Sequence, residues 1–251
     1  MEEIEEHKQQ YGLVGKNISY SFSKGYFTKK FEKLGLTDHA YNNFDLKNLS
    51  EFKNIFSQPN IKGLNVTIPY KEEILPFLDD LDDTAKQIGA VNTIKFTKQG
   101  VMGYNTDAYG FKQSLYPLLK KHHKNALVLG TGGASKAIVF VLKELGLTYQ
   151  YVSRNPSKGQ LSYSQLMASD FKKFQLIINC SPVGTYPKIK DKPQIPYGHL
   201  NETHILFDLI YNPMETAFLT EGKQKGATIQ NGLPMLEFQA EKAWEIWNSN
   251  G

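Results

Sequence analysis

The sequence predicts an α/β protein in two parts: an N-terminal α/β domain and a Rossmann-like, doubly wound domain, with a cleft between them. Three observations predict it. Apolar runs of strand length alternate with helix-period segments along the chain. The stretch Val128-Leu-Gly-Thr-Gly-Gly-Ala-Ser135 sets a glycine loop between a strand and a helix. Two polar segments, ending in Lys71 and Asp107, each follow a β-like run, where such folds present working side chains.

In chain order, Tyr11–Val14 reads as a strand, and Phe27, Phe31 and Leu34 then recur at helical spacing. Strands follow at His39–Phe44, Gly63–Val66, Ala90–Phe96 and Val101–Tyr104, with helices at Leu49–Phe56 and Thr84–Ile88. Pro69 suits the first turn of a helix beginning near Tyr70. This alternation implies a mostly parallel sheet. Asp107–Lys120 is expected as a connecting helix. The second part carries strands at Leu127–Leu129, Tyr149–Ser153, Leu176–Asn179, Ile205–Asp208 and Thr228–Gln230, and a helix at Ala134–Leu145. A loop with Pro and Lys runs from Pro182 to Pro196, near the expected cofactor site. In Leu233–Trp247, Leu236, Ala240, Ala243, Trp244 and Trp247 form one apolar stripe. The expected division is 1–106 for the first domain, with 233–251 packing back on it, and 107–232 for the second.

Composition narrows the function. The 251 residues, 40% hydrophobic and 22% charged, can bury a core and are not a disordered chain. A net charge of +4 without a basic block argues against nucleic acid, and 14 Tyr and 15 Phe are scattered at packing rather than base-stacking intervals. Cys180 is the only cysteine, and the six histidines lack ligand-like company, so neither a disulfide nor a metal is expected. The acidic start, Met1-Glu-Glu-Ile-Glu-Glu6, is unlike a secretory signal, and no apolar run reaches membrane length. A cytoplasmic monomer or homodimer acting on a small molecule is the expectation.

In Gly130-Thr131-Gly132-Gly133-Ala134 the glycines let backbone amides approach a pyrophosphate, and the following helix aims its positive end there. The loop departs from strict G-x-G-x-x-G, so placement, not spacing, carries the reading. An NAD site would show Asp or Glu after the next strand. Here that strand ends in Ser153-Arg154-Asn155-Pro-Ser157-Lys158, with no carboxylate and a guanidinium suited to a 2′-phosphate. An ordinary surface arginine is the competing reading.

Reducing a ketone needs a hydride on carbon and a proton on oxygen, and Lys71 can supply that proton. A helix N-terminus beside it would ease proton release, while Asp107 would oppose that shift and titrate jointly with it. A solvated lysine and a helix N-cap are the plainer readings of the two residues.

The motifs Gly63-Leu-Asn-Val-Thr-Ile-Pro-Tyr-Lys71, Ala90-Val-Asn-Thr93, Gly103-Tyr-Asn-Thr-Asp107, Asn179-Cys-Ser-Pro-Val-Gly184, Asp208-Leu-Ile-Tyr-Asn-Pro213 and Asn231-Gly-Leu-Pro-Met-Leu236 occur in this order. With them the chain resembles the shikimate dehydrogenase family over nearly its whole length. The resemblance implies reversible NADPH-dependent reduction of 3-dehydroshikimate to shikimate, in chorismate and aromatic amino-acid biosynthesis. It implies Lys71 as the proton-transferring residue, with Asp107 its partner on the substrate hydroxyls. Ser21 and Ser23 would hold the carboxylate, and Thr67, Asn92, Tyr211 and Gln239 would complete the pocket. Gly130–Ala134 would bind the pyrophosphate and Ser153–Lys158 the 2′-phosphate ribose, with Leu209, Gly232 and Met235 beside the nicotinamide. Asp83 falls where some members have a cofactor-site acid. Tyr20 and Lys24 depart from the His and Pro that usually flank the serines, and Ser153-Arg154-Asn155 replaces the family's Asn-Arg-Thr. Gln239, off the apolar stripe, could otherwise face solvent. Three rival readings share the architecture: an NAD-using quinate/shikimate dehydrogenase, a non-catalytic shikimate-sensing relative, and a methylenetetrahydrofolate dehydrogenase.

Overall fold

The computed structural model describes residues 9–18, 21–56, 58 and 60–249. The chain falls into two units, one running through Thr106 and resuming at Ala240, the other from Asp107 to Gln239.

The first unit contains β1 (Gln9–Gly15), α1 (Phe22–Leu34), β2 (His39–Asp45), α2 (Phe52–Phe56), β3 (Ile61–Val66), β4 (Asp80–Leu81), α3 (Asp83–Ile88), β5 (Thr93–Thr97) and β6 (Gly100–Tyr104). Its sheet runs β2-β1-β3-β5-β6-β4. The expectation of a mostly parallel sheet needs correcting: β1 is parallel to β2 and β3, but β5 is antiparallel to both β3 and β6. The cause is local. The link from β5 to β6 is a tight turn, which can join only antiparallel neighbours.

Strand β1 is buried on both faces. Tyr11 and Leu13 pack with Phe27, Phe31 and Tyr41, while Val14 packs with Leu64, Val66 and Ile94. Such double burial is why its sequence reads as continuous apolar residues rather than as alternation.

Two further expectations are corrected here. No helix begins at Tyr70: 68–74 is a run of turns followed by one 3-10 turn at Leu75–Phe77. The Lys71 carbonyl accepts from Val91 N at 2.8 Å instead of from a helical amide, so the segment leaves the helical path. The positive helix end expected beside Lys71 is therefore not supplied by this segment. Likewise Ala90–Asn92 is not part of β5. Its amides reach sideways, Val91 to Lys71 and Asn92 to Tyr104.

The second unit contains α4 (Thr106–Leu115, beginning one residue before the unit boundary), β7 (Asn125–Leu129), α5 (Gly133–Glu144), β8 (Thr148–Ser153), β9 (Leu161–Ser162), α6 (Ala168–Lys173), β10 (Leu176–Asn179), β11 (Ile205–Asp208), α7 (Ala217–Gln224), β12 (Thr228–Gln230) and α8 (Leu233–Asn248). Helix α4 is shorter than expected, giving way at Tyr116 to a 3-10 turn with Pro117 in it. The sheet order is β12-β11-β10-β7-β8-β9, and every pairing is parallel. From β7 the chain winds first to β8 on one side and later to β10 on the other. The switch point thus lies at the carboxyl ends of β7 and β10, the usual ligand crevice of such sheets.

Helix α8 begins in the second unit and ends in the first, where Ala240, Ala243 and Trp247 join the cluster of Tyr11 and Phe27. Trp247 Nε1 donates to the Ile94 carbonyl at 2.9 Å, and the buried Lys95 ammonium caps the helix end through the Ser249 carbonyl at 2.7 Å. The indole lies flat against Gly63, where a Cβ would stand 2.2 Å from Nε1. Gly63→Ala is therefore expected to cost about 1–3 kcal/mol through overpacking, read as a lower denaturation midpoint in urea. An unchanged midpoint would mean the indole can shift freely.

Among the described residues no helix is long and apolar enough to cross a membrane, and no group of three or more His, Cys, Asp or Glu could hold a metal. His122 and His123 both reach the Thr203 carbonyl, at 3.1 and 3.0 Å, and burial lowers the His123 pKa, as suits a neutral structural imidazole.

Candidate functional site

In the first unit the polar residues gather at the carboxyl ends of β1 and β3. Ser21 is the N-cap of α1, accepting from Lys24 N at 3.3 Å, and Ser23 lies in that helix's first turn. Lys24 is exposed in the same turn, and Tyr20 lies outside the described residues. The loop leading to Ser21 is tied to β2: Asp45 accepts from Asn17 N at 2.8 Å and Ile18 N at 3.3 Å, and Asn43 donates to the Ile18 carbonyl. Thr67 follows β3, and its amide bonds the Val14 carbonyl at 2.9 Å. Val66 N bonds the Asn92 carbonyl, and the Lys71 carbonyl bonds the neighbouring Val91, so Thr67, Lys71 and Asn92 share one small region.

A chain of buried hydrogen bonds runs beneath these residues. The Tyr41 hydroxyl bonds Ser23 and donates to Asn65 Oδ1 at 2.7 Å. Asn65 Nδ2 donates to Thr93 Oγ1 at 3.2 Å, and Thr93 donates to Asn92 Oδ1 at 3.2 Å. Asn92 Oδ1 also accepts from Thr106 N at 2.7 Å, and its Nδ2 donates to Thr106 Oγ1 at 3.0 Å. Ser23 and Asn92 are thereby held in one network, which ends at Thr106, the residue before Asp107. Burial pushes the Tyr41 hydroxyl far above the ordinary phenol range, so it acts as a neutral donor and acceptor. Tyr41, Asn65 and Thr106 received no role from the sequence. An aromatic in an apolar strand reads as core, and only the non-local partner Asn65 reveals the hydroxyl's work.

In the second unit Asp107 is in the first turn of α4, inside the helix rather than capping it, and is 6% exposed. A carboxylate there is favoured by the helix dipole. Gly110, one turn on, lets α8 approach so closely that a Cβ would lie 2.4 Å from the Met235 carbonyl and 3.1 Å from Gln239 Cβ. Asp107 and Gln239 are thus carried on abutting helices. Gln239 is buried, which corrects the alternative that it faces solvent. Tyr211 is half-buried on the loop after β11, and burial raises its pKa.

The glycine loop sits at the switch point. Gly130 has φ +104°, and a Cβ there would meet Ser181 N at 3.2 Å, so both conformation and space demand glycine. Gly132, the N-cap of α5, has an ordinary φ of −72° and open space where a Cβ would point. Nothing within the chain requires glycine there, as expected of a cradle for a bound phosphate. Thr131 is exposed, with Gly133 and Ala134 opening the helix behind it. Beyond β8, Arg154, Asn155, Ser157 and Lys158 are exposed, Ser153 accepts from Asn155 N, and Arg154 faces the Tyr163 hydroxyl. The residues present fit a 2′-phosphorylated dinucleotide: a glycine cradle at a helix N-terminus, then cations and hydroxyls without a carboxylate. Leu209 N bonds the Asn179 carbonyl at 3.0 Å, and Met235 is buried. Gly232 has a packing reason of its own, since a Cβ would lie 2.1 Å from the Leu209 carbonyl. Asp83 is exposed at the start of α3, where the helix end explains it.

Comparison with known proteins supplies the remaining context. Residues 13–94 match the model of the shikimate dehydrogenase substrate binding domain. The chain is 39% identical to a protein of Methanococcus vannielii named shikimate dehydrogenase (NADP(+)), over 94% of this chain and 90% of that one. It is similar to the crystal structure of shikimate dehydrogenase from Aquifex aeolicus, with a TM-score of 0.85 at 36% identity, covering 96% of this chain and 92% of the other. It is also similar to the Thermus thermophilus shikimate 5-dehydrogenase in complex with NADP(H) and shikimate, with a TM-score of 0.84 at 31% identity, covering 95% and 93%.

Proposed function

The chain belongs to the shikimate dehydrogenase family, and on that premise we propose that it interconverts 3-dehydroshikimate and shikimate with NADP(H), using Lys71 and Asp107 to handle the proton. The first unit is read as the substrate-binding domain and the second as the NADP-binding domain. The enzyme serves chorismate and aromatic amino-acid biosynthesis in the cytoplasm, as a monomer or homodimer.

In this reading Ser21 and Ser23 hold the substrate carboxylate through their hydroxyls, Ser23 turning its single proton to it from Tyr41, whose own proton lies on Asn65. Thr67, Asn92, Tyr211 and Gln239 bond the ring hydroxyls. A site that bonds each hydroxyl rejects analogues lacking one, because a buried polar group would be left unpaired. Lys71 gives a proton to the ketone oxygen during reduction and takes it back from the alcohol during oxidation. Asp107 accepts from a substrate hydroxyl. Gly130–Ala134 hold the pyrophosphate, Ser153–Lys158 the 2′-phosphate ribose, and Leu209, Gly232 and Met235 the nicotinamide. NADPH, when bound, supplies the hydride that reduces the ketone carbon.

The observation that carries this reading is the buried network joining Ser23, Asn92 and Thr106, which ties two elements of a hydroxyl-rich pocket into one rigid support. The test is the appearance of reduced-nicotinamide absorbance when purified protein receives shikimate and NADP, with NAD and quinate in parallel. Turnover with shikimate and NADP is expected to exceed the others. Faster turnover with NAD would favour the quinate/shikimate reading. Binding of NADPH without turnover would favour a sensor.

A further inference from the structure

Asp208 ends β11 and is fully buried, yet the proposed chemistry gives it no part. Its Oδ1 accepts from Asn179 Nδ2 at 3.0 Å and from Ile210 N at 3.1 Å, and its Oδ2 accepts from the Thr216 hydroxyl at 2.6 Å. Asn179 ends β10. Its Oδ1 accepts from Ser181 N at 3.0 Å and Ser181 Oγ at 2.6 Å, while its Nδ2 also donates to the Val183 carbonyl at 3.3 Å. Two loops, 180–184 and 209–216, are therefore hung from one carboxylate–amide pair. The second is held from its far side too, by Gly232 N on the Ile210 carbonyl at 3.0 Å and Asn231 Nδ2 on the Met214 carbonyl at 2.9 Å. Both loops leave the carboxyl ends of parallel strands at the ligand crevice.

We propose that Asp208 is a positioning residue for the redox step: through Asn179 and Thr216 its carboxylate sets loops 180–184 and 209–216, and with the second loop Leu209 and Tyr211. The importance of those two residues rests on the function proposed above, whereas the anchoring itself rests only on the bonds around Asp208.

Among the described residues no cation offsets the charge. The titratable groups facing it are Cys180, on the loop after β10, and Tyr197, and burial pushes both upward so that they stay neutral. Burial likewise raises Asp208 from 3.8 to about 6, against the lowering by its three hydrogen bonds. The sign follows from linkage. A carboxyl whose closed-state pKa exceeds its solvated value favours closure when protonated. The anchor is tightest below about pH 4 and slackens as pH rises through about 6. The whole change is roughly 100-fold, the ratio of the carboxyl's proton affinities in the anchored and solvated states. Above that range no further change is expected.

The test uses ligand-free protein first. Amide hydrogen exchange is measured in both loops for the wild type, Asp208→Ala and Asp208→Asn, with β7 amides as the internal reference. Asp208→Ala should speed both loops by about 10-fold or more while β7 is unchanged, from the loss of charge-assisted bonds. Asparagine can keep Oδ1 on Asn179 and Ile210 and donate to Thr216, so its loops should match or exceed wild-type protection at neutral pH. Corrected for intrinsic exchange, wild-type loop protection should fall between about pH 4 and 6 and level off above, and that of Asp208→Asn should not. In turnover, Asp208→Ala should lower kcat by about 10-fold or more with NADPH affinity within about threefold, because the phosphates are assigned to other loops, and Asp208→Asn should recover most of kcat. If Asp208→Ala does not fold, Thr216→Val gives the same comparison confined to 209–216. Equal loop exchange in Asp208→Ala and wild type overturns the proposal. So does weakened NADPH binding with kcat retained. A wild type that fails to oxidise shikimate with NADP refutes the assigned reaction instead, and the exchange arm still decides the anchor.

Discussion

Lys71→Ala is expected to lower kcat for shikimate oxidation by at least about 100-fold, the lower end of what a positioned acid–base group contributes, and to leave the shikimate Kd within about threefold. The split follows from where the binding groups lie. On the proposed assignment, hydroxyls at Ser21, Ser23 and Thr67 and the amide of Asn92, at the start of α1, after β3 and before β5, would need no charge from Lys71 to hold a polyhydroxy acid. As the proposed proton donor, the ammonium would matter when charge develops on the reacting oxygen, so its loss should fall on the transition state rather than on the ground state. Lys71→Arg should be no better than alanine, since a guanidinium keeps its proton at any working pH. Adding Asp107→Asn to Lys71→Ala should cost only a few-fold more, because two residues that serve one proton transfer are not additive. A Lys71→Ala enzyme within about tenfold of wild type, or losses that multiply fully in the double variant, would remove the pair from the mechanism.

The fold was readable where a pattern repeats locally. The second sheet's strands are short apolar runs bounded by turn residues, and β10 and β11 are wholly buried, as their unbroken apolar sequences require. The glycine loop was readable because strand, glycines and helix are contiguous. What failed was decided by partners distant in sequence. The segment after Pro69 has helix-compatible residues, but the Lys71 carbonyl is claimed by Val91, twenty positions away. Gln239 sits off the apolar stripe of α8, yet Gly110 on α4 admits its helix so closely that the side chain is buried. Tyr41 differs from a core aromatic by its bonds to Ser23 on α1 and Asn65 on β3, and Asp208 from a strand-end turn residue by those to Asn179 and Thr216. The motif residues were readable as a set, but the buried polar groups that support them were not, since hydrogen-bond partners leave no periodic trace.

Arg154→Ala should reduce the preference for NADP over NAD, as a ratio of kcat/KM values, by about 10- to 100-fold, the worth of one or two hydrogen bonds to a charged group. Arg154 is the only arginine in the chain, and every other basic side chain is lysine. A protein that elsewhere meets its need for positive charge with lysine has a planar guanidinium at the one place where a phosphate monoester would be gripped in two-pronged fashion. It stands exposed just past β8, with no carboxylate between Ser153 and Lys158 to bond ribose hydroxyls instead. The proposed phosphate contact would be the same in ground and transition states, so the loss should appear in KM for NADP and in NADPH affinity, with kcat at saturation little altered. Arg154→Lys should behave more like alanine than like wild type, because a point charge cannot reproduce the paired geometry. Uniqueness also allows a test without mutation. An arginine-selective dicarbonyl can modify only one side chain here, so inactivation should track one modified group per chain, and NADP should protect where NAD does not. Full modification with undiminished NADP binding would move the 2′-phosphate to Lys158 or elsewhere, and the choice of cofactor would then need another cause.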